Sequence, residues 1–304
     1  MSNPVPTIFV TEPGRFARLI WLFRRAGVAA YEDNCFGIAK GAAYSSLLSI
    51  FPVLTTLTAV LVQANAVAVS NVISRVIFEV APPGTEVLLE NYLTVQGKRP
   101  AELLITAIIL SVWAASGAMM SLMEGFQAAY RIPTGRPFLK QRAIAAGLVV
   151  CAAAPLVGGS TLILFGSRTE GVIVGWLGFT PEAAQLKTWV IFVSRLIRYT
   201  LAFGSIVLAA ALLYRIGPNR QIRFRAVWPG AFVATALWGA ATLGFGWYVR
   251  NIANYNLLYG SIGAVIALLV WMYVLAVVAL FGCEFNAAVE YLNRVRERAV
   301  VLHS

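Results

Sequence analysis

The sequence predicts an all-α, polytopic membrane protein with six transmembrane helices plus short amphipathic interfacial helices, and three observations predict it. The 304 residues are 59% hydrophobic and 12% charged, with a mean hydropathy of +0.76, whereas a soluble domain carries about 25% charge. Six separate segments are apolar over the ~20 residues a helix needs to cross the ~30 Å hydrocarbon core. Lys and Arg gather in alternate loops, as they do when one face of a membrane holds them back.

The spans read as 41–62, which carries Pro52, then 103–123 between Glu102 and Glu124, 143–165, 189–214, 227–249 and 260–283. Thr180, Pro181 and Glu182 form an N-cap with proline in the first helical turn, so the fourth helix is expected to start outside the bilayer and to run about 50 Å at 1.5 Å per residue. The organisation that follows is a basic amphipathic segment at 1–37, a six-helix membrane domain at 38–286 and a tail at 287–304.

Basic residues cluster at 15–40, 131–142, 215–225 and 294–298, while the intervening loops hold only Arg75, Lys98, Arg99, Arg168, Lys187 and Arg250. Both termini are therefore expected on the cytoplasmic side of the membrane. The net charge of +11 then reflects topology and contact with anionic lipid, with no nucleic-acid partner expected. In 14–31, Phe16, Leu19, Ile20, Leu22 and Phe23 alternate with four arginines, a pattern for a helix lying on the inner leaflet. In the long outer loop 63–102, Val69, Val72, Ile73, Val76 and Val80 recur at helical spacing before a turn at Pro82, Pro83 and Gly84, which predicts short capping helices.

Ionisable groups close to spans are costly, which makes each a functional candidate. Lys40, Glu124 and Glu284 all fall at cytoplasmic helix ends, and with Tyr44, Gln127 and Asn286 they form one candidate polar cluster. Within it Lys40 and Glu284 are expected to pair between the first and sixth spans, since an isolated charge there costs more than a paired one. Arg195 and Arg198 share a face of the fourth span near its outer end and are the candidate contacts for an anionic substrate. Ser45, Ser46 and Ser49 with Pro52, whose missing N–H frees a carbonyl, are the candidate kink and lining of a polar path.

Catalytic chemistry finds little to stand on. The only His is His303, beside the C-terminus, and the only Asp is Asp33. No HExxH, GxSxG or Walker loop occurs, and Cys35, Cys151 and Cys283 lack metal-ligand spacing, so neither cofactor nor metal is expected.

AAYSSLLSIFPVL at 42–54, SGAMMSLMEGFQAAYRI at 116–132, Pro229-Gly230, and YGSIGAVIALLVWMYVLAVVALFGCEFNAA at 259–288 together resemble the YihY/BrkB family of bacterial inner-membrane proteins, over about 34–286. That resemblance implies six transmembrane helices and a role in the cell envelope, with an old ribonuclease label on the family and a virulence label on some members. The usual GAEL-N ending reads GCEFN here, keeping Gly282, Glu284 and Asn286, and the usual Asn-like position after the second span's motif reads Gln127-Ala128-Ala129. The leading functional expectation is a non-ATP-driven transporter that moves or rearranges an anionic lipid or small solute. A non-catalytic envelope scaffold that recruits other envelope proteins is the alternative, and a membrane-bound ribonuclease the third.

The topology is open to direct test. In a cysteine-free background, a Cys at Thr85 should react with an impermeant thiol reagent in intact cells, while one at Asn219 should stay protected until the cells are opened. The reverse pattern would invert the chain.

Overall fold

A computed structural model describes residues 14–63, 101–133, 135–176, 184–251 and 261–303. They form seven helices, α1 Arg15–Glu32, α2 Cys35–Gln63, α3 Ala101–Ala129, α4 Phe138–Trp176, α5 Ala184–Ile216, α6 Phe224–Asn251 and α7 Ser261–His303, and no strand among the described residues. Helices α2 to α7 are each long and apolar enough to cross a membrane, and the six predicted spans fall one to each. The expected outer-loop helices between 64 and 100, and the cap at Thr180, lie outside the described residues.

The spans close into a ring: α2 packs on α3, α3 on α4, α4 on α5, α5 on α6 and α6 on α7, which returns to α2 and also touches α3. The largest buried cluster gathers at the α1 end of this ring, where Ala39 and Ala42 of α2, Phe126 of α3, Tyr214 of α5, Ala231 of α6 and Leu280 of α7 meet. There the Tyr214 hydroxyl donates to the Ala279 carbonyl at 2.8 Å, and its ring stands edge-on to Phe126 at 5.4 Å between centroids.

α1 is amphipathic as its pattern predicts, and one of its faces has a protein partner. Leu22 and Ala26 pack on Phe285, Ala288 and Leu292 of α7, while Phe16, Leu19, Ile20 and Phe23 remain exposed. The expected tail at 287–304 continues α7 as helix to His303, and its first turns carry this contact with α1. Arg25 stacks 3.9 Å over the Tyr291 ring, a cation–π contact that ties the same two helices. A two-residue break at Asp33 and Asn34 then leads into α2, with Asn34 at φ 54°, in the left-handed region that Asn tolerates better than most residues.

α6 and α7 cross with their backbones in contact. A methyl at Gly230 would overlap the Gly282 carbonyl, and one at Gly282 would fall 2.7 Å from the Ala234 Cβ, so only glycine fits at either point. Pro229, inside α6, carries no N–H. Beside it the Asn286 amide enters the α6 backbone, accepting from Gly230 N–H at 2.6 Å and donating to the Val227 carbonyl at 3.1 Å. Asn286 is 1% exposed, so both of these bonds form where water does not compete.

The loop after α3 is fixed at both ends. Ile132 N–H bonds Gln127 O and Arg131 N–H bonds Ala128 O, a Schellman closure with Arg131 at φ 51° where glycine is usual. Arg136 caps the end of α5, its guanidinium donating to the carbonyls of Ile216, Gly217 and Pro218 at 3.0 Å each.

Two substitutions probe the α6–α7 crossing. Gly230→Ala should lower thermal stability in detergent by about 1–3 kcal/mol through overpacking. Asn286→Leu should cost about as much again for each of the two backbone groups it strands. Melting curves of the purified variants check both.

Candidate functional site

Two residues along α7 from Asn286 the helix has turned about 200°, so Glu284 faces away from α6 and toward α2. It is 1% exposed. Cys35, the first residue of α2, donates its thiol to Glu284 Oε1 at 3.5 Å, and the Asp33 carboxyl, two residues before Cys35, comes close enough for the two acids to act on one another. Two carboxylates this close repel, an arrangement that favours one proton between them. Cys283 is buried beside it, and Arg131, held in its left-handed turn, places a positive charge near both acids.

Burial pushes the Asp33 carboxyl above its usual range, against the Arg131 charge, which pulls it down. Burial also pushes the Tyr130 phenol far up, so that hydroxyl stays neutral. No three His, Cys, Asp or Glu side chains stand together as metal ligands among the described residues. What remains is a pair of acids, Glu284 buried and Asp33 half-buried, at the α1 end of the helix ring.

The structure brings only part of the expected cluster together. Lys40 is exposed and does not reach Glu284; it follows Cys35 by five residues, which turns it about 140° away from the face that meets α7. Glu124 is exposed on α3 and Tyr44 is 60% exposed on α2. Gln127 lies by the 131–137 loop, its Oε1 3.4 Å from the place of a Gly135 methyl, and Asn286 serves α6 instead. Sequence depth alone had grouped these residues, and depth carries no information on which way a helix face points.

Arg195 is exposed on α5 and Arg198 lies 5.7 Å over the Tyr199 ring, both far from the carboxyl pair. Pro52 sits inside α2. Ser49 is buried and donates to the Ser46 carbonyl at 2.7 Å, while Ser45 faces Gly117 of α3. Asp33, the partner that sequence reasoning missed, was visible as the only Asp of the chain and as the residue two before Cys35.

Residues 28–300 match the family described as Virulence factor BrkB, a stretch that takes in Asp33, Cys35 and the whole of the α6–α7 crossing. The chain belongs to that family. It is 31% identical over 250 residues to the ribonuclease-like protein YfkH of Bacillus subtilis, covering 81% of this chain and 86% of that one. A UPF0761 membrane protein of Alteromonas mediterranea is 26% identical over 272 residues, 88% of each chain. A UPF0761 membrane protein of Chromobacterium violaceum is 35% identical over 196 residues, and there the match spans 43% of the relative's length. No solved structure matches. Like those UPF0761 relatives, this BrkB-family chain is a membrane protein, and its six candidate spans are those of a multi-pass one.

The raised Asp33 value fixes the sign of a pH effect. The folded state holds this proton more tightly than the unfolded chain, so the stabilisation is complete below the ordinary carboxylate value of about 3.9 and is lost as pH rises through the folded value. Asp33→Asn, neutral at every pH, should escape that loss. Melting temperatures measured from pH 4 upward should therefore fall for the native protein relative to the variant; a constant difference would mean that folding does not raise the Asp33 carboxyl.

Proposed function

We propose that this BrkB-family protein is a non-ATP-driven translocator of an anionic lipid or small anionic solute in the bacterial inner membrane, with both termini cytoplasmic and its cycle linked to a proton. The pairing of half-buried Asp33 with buried Glu284 carries this reading. A proton held by the pair would sit where the helix ring ends, beside the Cys35–Glu284 contact between the first and last spans, so gaining or losing it would alter that contact. Absence of a Walker loop from the sequence leaves ion gradients as the energy source this chain itself can use.

The printed name of YfkH suggests ribonuclease activity instead, and a scaffold would need neither protons nor substrate. Purified protein in sealed vesicles separates the three. Transbilayer movement of fluorescent phosphatidylglycerol should accelerate when a pH gradient is imposed, and Glu284→Gln should lose at least tenfold of that rate while melting as a folded protein. An unchanged rate in folded Glu284→Gln would end the proton link. Absence of any lipid or solute movement by the native protein would favour the scaffold, and RNA cleavage abolished by one point substitution would favour the nuclease.

A further inference from the structure

Arg142 reads in the sequence as one more cytoplasmic loop charge, yet it stands in the second turn of α4 and its half-buried head group reaches along α3 as far as Trp113. Nη2 donates to the Trp113 carbonyl at 2.8 Å, Nη1 to the Met120 thioether at 3.4 Å, and the guanidinium lies 4.3 Å from the centre of the Trp113 ring. Nη1 is 3.9 Å from the place a methyl on Gly117 would take. Gly117 is twelve residues from Ala129 and thirteen from Leu104, the ends of the span, or about 18 and 20 Å at 1.5 Å per residue. The charge therefore lies well inside α3, away from both helix ends.

The side chain reaches this depth against two ordinary tendencies. Helical side chains tilt toward their own N-terminus, here the loop end of α4. A long basic residue near a helix end also snorkels to the nearer interface. Ala145, one turn further into α4, packs on Met119 and Met123, whereas the Arg142 head group extends past that level to Gly117 and Trp113. Its partners are a carbonyl, a thioether and a ring face, all neutral. Nε is buried and bonds nothing, and no carboxylate pairs with Arg142 among the described residues. A positive charge held in hydrocarbon without a counter-charge costs several kcal/mol, and such a cost is offset when an anion arrives.

The surroundings suit one. Ser45 Oγ of α2 lies 3.8 Å from the same Gly117 methyl position, so a hydroxyl donor from α2 and a guanidinium from α4 face one gap that the missing Cβ of α3 leaves. Guanidinium offers paired N–H donors in the geometry of a carboxylate or phosphate edge. Access exists on the lipid-facing flank, where Trp113 is 59% exposed.

We propose that Arg142, with Ser45 and the gap at Gly117, is an intramembrane binding site for the phosphate or carboxylate group of an anionic amphiphile or solute. The site rests on the translocator reading and names the residue that recognises its substrate, in place of the outer Arg195 and Arg198 pair.

The test is binding to the intact purified protein in detergent, read by native mass spectrometry with phosphatidylglycerol, phosphatidylcholine and inorganic phosphate as probes. Native protein should retain phosphatidylglycerol at least tenfold over phosphatidylcholine. Arg142→Met should erase that preference, and Arg142→Lys should keep part of it. Gly117→Ala makes only ordinary contacts at 3.7–3.9 Å and should fold normally while its methyl fills the gap, again lowering phosphatidylglycerol retention. Displacement by inorganic phosphate would point to a free solute, and its failure to a lipid headgroup; both support the site. Undiminished preference in folded Arg142→Met or Gly117→Ala would overturn it, even with proton-linked movement intact. Native protein that binds phosphatidylglycerol through Arg142 but moves nothing would overturn the transport reading and leave the site standing.

Discussion

The close crossing of α6 and α7 is the constraint on which the rest of this structure depends. Gly230 and Gly282 let two backbones touch, and Asn286 then locks the rotation of α7 by bonding into the α6 main chain. A helix whose rotation is fixed at one residue has every other residue's direction fixed as well. Glu284 is turned to α2 because Asn286 is turned to α6, and Ala288 and Leu292 follow onto α1. The buried acid is thus a consequence of a packing contact one half-turn away, which explains how a group so costly to bury is kept in place.

α2 connects the two charged features of the membrane domain. Cys35 at its start meets Glu284 of α7, and Ser45, ten residues on, meets Gly117 of α3 beside Arg142 of α4. A shift of α2 relative to α7 when the carboxyl pair gains or loses its proton would move Ser45 against the guanidinium. Pro52, further along the same helix, separates this half from the segment where Thr56 bonds Ser111 of α3 at 2.6 Å.

Much of the fold was legible in the sequence because a membrane leaves few solutions: an apolar run of about 20 residues has to be a helix. All six spans were visible on that ground, and helix ends were not. The last helix extends about twenty residues past Cys283 because Ala288 and Leu292 have a partner in α1, and no local pattern announces a partner almost the whole chain away. The site was legible as a set of polar residues at similar depth and illegible as a geometry. Lys40 was paired with Glu284 on depth, while helix rotation gave that acid to Asp33 and Cys35. Arg142 was read as a loop charge since Lys140 and Arg136 precede it; its inward reach depends on the room that Gly117 leaves.

The ring of spans closes between its first and last members, and the thiol–carboxylate contact that marks the closure joins residues 249 positions apart. During synthesis α2 enters the membrane long before α7 exists, so for that interval Asp33 has no acid to share a proton with and is free to ionise at the interface. The carboxyl pair forms only when the final helix arrives. A protein truncated ahead of α7 would hold five of the six spans as an open row rather than a closed ring, presenting the unpaired α2 and α6 faces to lipid and to the machinery that removes unfinished membrane proteins.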